Sequence, residues 1–137
     1  MRDIIFRGKR LDNGEWVEGD YFRKYIYDRY DNGSLHHLIG WQVTDNDGEK
    51  FNDYEDVDPD TVGQYTGMKD KNGKKIFEGD ILRSENGYAE PIGWSQDNAG
   101  FATMDFANGE YIYEIDQFLA STKTISGTIH DNPDLLK

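Results

Sequence analysis

Residues 64–82 read QYTGMKDKNGKKIFEGDIL. An aromatic residue, Tyr65, is followed by Gly67 and a charged loop that ends in Asn72-Gly73. Then come an apolar pair, Glu78-Gly79-Asp80 and a second apolar pair. Asn-Gly is the strongest short hairpin signal, because both residues accept positive φ. The stretch therefore predicts a strand, a tight reversal, a short strand, a second turn at Glu-Gly-Asp and a new strand. In that second turn, Asp80 is expected to accept a bond from a backbone N–H two residues on. Gly67 marks a left-handed or crowded backbone position.

The same order occurs once before. Residues 6–22 read FRGKRLDNGEWVEGDYF. Phe6, Gly8, Asn13 and Gly14 match Tyr65, Gly67, Asn72 and Gly73, and residues 16–20 match 76–80 after one inserted residue. An internal repeat predicts one local shape used twice, with turns at both Glu18-Gly19-Asp20 and Glu78-Gly79-Asp80. Those turns account for the paired acids without invoking the two carboxylates of a hydrolase.

Further turn signals lie at Asn32-Gly33, Asp47-Gly48, Asn86-Gly87 and Asn108-Gly109. Between them are short aromatic and β-branched runs at 21–27, 35–44, 76–83, 100–106 and 123–130. Such spacing reads as an antiparallel all-β fold. In the run 21–27, Tyr21, Tyr25 and Tyr27 share one face while Phe22 and Ile26 share the other, which predicts a strand buried on both sides. Helix signals are short: residues 116–120 with Asp116 as N-cap, and Asn132-Pro133 leading a single turn whose Leu135 and Leu136 close the core.

The chain has 137 residues, enough for one domain or two very small ones. Seven Phe, nine Tyr and three Trp compensate for an apolar content of only 36%. The formal net charge is −12. It is concentrated in residues 45–60, with one base against eight acids, and in 84–137, with two against nine. A small basic island surrounds Lys69, Lys71, Lys74 and Lys75. This balance disfavours direct nucleic-acid binding and anionic membranes. There is no cysteine, hence no disulfide or thiolate metal site. With no apolar leader and no spanning stretch, the expected compartment is the cytoplasm.

Few residues offer chemistry. His36 and His37 are adjacent, so on a strand they point to opposite faces and cannot share a metal. His130 has no partner at ligand spacing. The acidic run 45–60 fails the calcium-loop pattern and reads as a solvated loop. No serine sits in a nucleophile elbow, and no phosphate loop is present. The sequence thus predicts no enzymatic activity and no cofactor. The aromatic surplus points instead to a protein-binding or oligomerisation face.

The opening FRGKRLDNGEWVEGD, the central VGQYTGMKDKNGKKIFEGDIL and the closing SGTIHDNPDLL together resemble the YopX family, small proteins of bacteriophages and prophages. The resemblance covers nearly the whole chain, although Thr128 and His130 stand where the family often has Asn and an aromatic residue. It implies an all-β protein with an SH3-like barrel in its C-terminal half, here residues 63–137, after an N-terminal β region at 1–62. It brings no catalytic residues. Gly67, Asn72, Gly73, Glu78, Gly79 and Asp80 resemble fold determinants. Two roles are then expected: an accessory module in the host cell that binds a host or phage protein or itself, or an acidic DNA mimic occupying a nucleic-acid-binding protein.

Overall fold

A computed structural model describes residues 2–105 and 107–136. The chain forms two compact units, Ile4–Gln64 and a second from Tyr65 onward. In the first, β1 (Phe6–Lys9), β2 (Trp16–Tyr27), β3 (Asn32–Thr44) and β4 (Lys50–Asp56) form an antiparallel meander, followed by a 3₁₀ turn at Pro59–Thr61. β5 (Gly63–Lys69) begins there, with Gly63 and Gln64 opposite Arg7 and Phe6.

In the second unit, β5 continues and pairs with β6 (Lys75–Phe77). Then follow β7 (Asp80–Arg83), β8 (Ala89–Ser95), β9 (Gly100–Met104), β10 (Tyr111–Glu114) and β11 (Thr124–Thr128). These five form an antiparallel sheet in the order β10-β9-β8-β7-β11. Its core joins Ile76, Leu82, Ile92, Ile115 and Ala120, with Phe101, Leu119 and Ile125 packed against them.

The all-β class is as the sequence predicts; the barrel is not. β10 and β11 end the sheet on opposite sides, and among the described residues no ladder closes it. β11 is diverted to other bonds: its Ile125 N–H donates to the Asp70 carboxylate, and the Lys123 carbonyl just before it accepts from the Lys71 N–H, 3.0 and 2.9 Å. The chain from β10 returns through α1 (Gln117–Ala120), whose Asp116 N-cap accepts the Leu119 N–H at 2.8 Å, as expected.

Three other expectations need correction. Leu135 and Leu136 lie on a 3₁₀ turn, Pro133–Leu136, but remain half-buried, and the Asn132 side chain turns back to the Thr128 N–H. β2 is not covered on both faces, since Phe22, Tyr25 and Tyr27 are exposed. The β2–β3 reversal falls on residues 28–31, where the Asp28 carboxylate accepts the N–H groups of Tyr30 and Asp31, so Asn32 already belongs to β3.

Acids have a local use throughout. Among the described residues, Asp28, Asp31, Asp45, Asp53, Asp58, Asp70, Asp80, Asp105 and Asp116 each accept a backbone N–H. Most do so where the chain reverses, because a short carboxylate reproduces the bond of a backbone turn. The stretch 45–60 is accordingly not a solvated loop: Asp45 closes the β3–β4 turn, residues 50–56 are β4, and Asp58 caps the 3₁₀ turn.

Candidate functional site

The two copies of the repeat unit take different shapes. In the second, Asn72-Gly73 turns the chain after the Asp70 carboxylate accepts the Asn72 and Lys74 N–H groups, 2.8 and 2.9 Å. Glu78-Gly79 then turns it again, with Gly79 at φ +89°. Asp80, 1% exposed, accepts the Phe77 N–H at 2.8 Å, three residues back and not two ahead. The Gly79 backbone also joins Ile92 and Ile129. In the first copy the expected turn at Glu18-Gly19-Asp20 is absent: β2 runs straight through it, held by β1 on one side and β3 on the other. Gly67 is left-handed at φ +83°, whereas its counterpart Gly8 is crowded by Val57.

The histidines diverge as their adjacency predicts. On one face of β3, His37 Nδ1 shares a 2.6 Å hydrogen bond with the Tyr21 hydroxyl. On the other, His36 lies between two carboxylates, with Nε2 2.5 Å from Asp31 Oδ2 and Nδ1 2.5 Å from Asp56 Oδ1. Both ring nitrogens donate to carboxylates only when the imidazole is charged. Asp31, chiefly through its bond to His36, is lowered to about 2, and the bonds to Asp31 and then Asp56 raise His36. Neither nitrogen remains free to take a proton from a nucleophile. Sequence reading missed this triad, because Asp56 is 20 residues away and only the β3–β4 register brings it alongside.

Among the described residues no group of three His, Asp or Glu is placed to hold a metal ion, and no helix is long and apolar enough to cross a membrane. His130 lies against the Gly79 turn. In the second unit, the nearly buried Glu90 carboxylate accepts the Tyr113 hydroxyl; burial, then Glu90, pushes that phenol up to about 12.

Two hollows accompany these groups in the first unit. One, of about 720 Å³, is bordered by the His36 triad, Leu11, Leu35 and Val57. The other, of about 430 Å³, is lined by Phe22, Gly40 and Tyr54 together with Asp20 and Asp53. The Phe22 and Tyr54 rings meet edge to face at 6.3 Å, and Phe22 covers the place where a Gly40 side chain would stand.

A comparison with family models matches residues 5–137 to the YopX protein family. The chain is a member of the YopX family. Among solved structures, it is similar to protein EF1440 from Enterococcus faecalis, at 22% identity and a TM-score of 0.55, over 100% of both chains. At that identity the likeness speaks for the fold alone. No curated protein matches. Gly67, Asn72, Gly73, Glu78, Gly79 and Asp80 all lie in the β5–β7 segment and its two turns.

Proposed function

We propose that the protein is a non-enzymatic binding module that engages a protein partner through the β2–β3–β4 sheet. The observation that carries this is the exposed Phe22–Tyr54 pair, at 39% and 50% exposure, seated over Gly40. Large rings left in water offset no folding cost, yet they offer rigid apolar area to a partner, where aromatics are enriched. The opposite face of the sheet repeats the theme, with Tyr25 directly opposite Leu35, both exposed. A host or phage protein fits this reading equally well. The DNA-mimic alternative has less support, because turns and helix caps give most of the aspartates that accept a backbone N–H a local cause.

The test compares wild type with a Phe22→Ser/Tyr54→Ser variant in a nuclease-treated pull-down from host lysate. A protein retained in stoichiometric amount by wild type and lost with the variant supports the reading, provided the variant keeps its circular dichroism. Equal retention by wild type and variant moves the partner to another surface. Capture of nucleic-acid-processing proteins that is lost only at high salt returns the question to mimicry.

A further inference from the structure

One ladder in the first unit stops early. β3 begins at Asn32, but β4 joins it only from Leu38, opposite Asp56. The Val57 N–H still reaches the His37 carbonyl at 2.9 Å, and the chain then leaves toward the 3₁₀ turn at Pro59–Thr61. In an antiparallel ladder the backbone groups of alternate residues face alternate sides. His37 presents its carbonyl to Val57, so Leu35, two residues earlier, presents its N–H and C=O to that same side, away from β2. Among the described residues no strand lies there; the hollow of about 720 Å³ does.

The charge of that hollow selects an occupant. Asp12, Asp31, Glu55 and Asp56 line it. Arg10 bonds Asp12 and Glu55 at 2.7 and 3.2 Å, and His36 bonds the other two. Two cations therefore face four carboxylates, even with His36 charged. Leu11 and Leu35, both exposed, add apolar surface. A second copy that offers its edge strand β4 is a poor occupant: that strand carries Asp53, Glu55 and Asp56 against one base, Lys50, so like charges would oppose.

We infer that this groove takes an extended lysine- or arginine-bearing segment of a partner protein, added as a strand along residues 33–37 of β3. Main-chain bonds to the open edge supply affinity, and alternate basic side chains meet the carboxylates. The inference rests on the protein-binding reading above but uses a different surface.

The test is an amide NMR titration of the full chain with acetyl-(Lys-Val)₃-amide. Two companions are run: the same peptide with Glu for Lys, and one N-methylated at alternate amides. Shifts gathered at residues 11–12, 33–37 and 55–57, weakened by salt, are expected. N-methylation should reduce affinity at least about tenfold, the worth of one or two bonds, and the Glu peptide should not bind. An Asp12→Asn/Glu55→Gln variant should bind more weakly; should it fold poorly, the peptide series on wild type still decides. Equal binding of the Glu or N-methylated peptide overturns the inference. So does the absence of shifts with any peptide, or concentration-dependent shifts at these residues without peptide, which would mark a second copy. Shifts confined to Phe22 and Tyr54 overturn the groove but leave the protein-binding reading standing.

Discussion

Glu18-Gly19-Asp20 and Glu78-Gly79-Asp80 are the same three residues in the same order, yet one is straight and the other turns. Gly79 is needed for its backbone angle, at φ +89°. Gly19 is needed for its missing side chain: a Cβ there would lie 2.1 Å from the Gly40 carbonyl oxygen. Asp80 is buried and bonds a backbone N–H, while Asp20 is exposed. What separates the copies is neighbours. Gly19 is flanked by β1 and β3, which hold it extended, whereas the three-residue β6 has no such support beyond Phe77. A tripeptide thus specifies a permission, and long-range pairing decides how it is used.

The largest effect that can break this comparison is Gly19→Ala. Overlap with a backbone carbonyl cannot be relieved by a rotamer change, so denaturant unfolding should show a loss of about 3 kcal/mol. Wild-type stability would mean that close approach is not why glycine stands there. Next is Asp80→Ala, which leaves the buried Phe77 N–H without that acceptor and should cost about 2 kcal/mol, against no more than about 0.5 kcal/mol for Asp20→Ala. Equal losses would show the two acids to be equivalent after all. Gly79 sharpens the contrast further: Gly79→Val should cost more than Gly79→Asn, which tolerates the left-handed region, where other residues lose about 1–2 kcal/mol. At Gly19 that preference for Asn should vanish.

The smallest effect belongs to the first unit alone. The raised His36 stabilises the fold fully below its ordinary value of 6.5, and that contribution is lost as pH rises through the higher folded value. The lowered Asp31 contributes above its ordinary 3.8, and its share is lost as pH falls toward about 2. The triad should therefore hold best between those ordinary values and loosen on the alkaline side. Hydrogen exchange of β3 amides across neutral pH should show this in wild type and not in His36→Gln. A flat wild-type profile would remove the charged triad.

Sequence reading recovered what is local. Asn72-Gly73, Asn86-Gly87 and Asn108-Gly109 mark turns, and in each the glycine alone takes the left-handed place, at φ +78°, +85° and +71°. Asp116 as N-cap was legible as well. What depended on distant partners was not. Nothing near Gly19 announces Gly40, and nothing near His36 announces Asp56. The barrel failed likewise, because the bonds that divert β11 come from Asp70 and Lys71, some fifty residues earlier. The β8–β9 reversal uses Ala99 at φ +49°, a place where no turn signal stood.

The order of the strands also has a kinetic meaning. Among the described residues, seven of the nine ladders join strands consecutive in the chain; the exceptions are β1 with β5 and β7 with β11. Consecutive hairpins zip locally within about 1–10 μs. The two remaining ladders close much longer loops, whose entropy must be lost before their contacts form. Each unit is therefore expected to close one such ladder last, and the β1–β5 closure engages only two residue pairs.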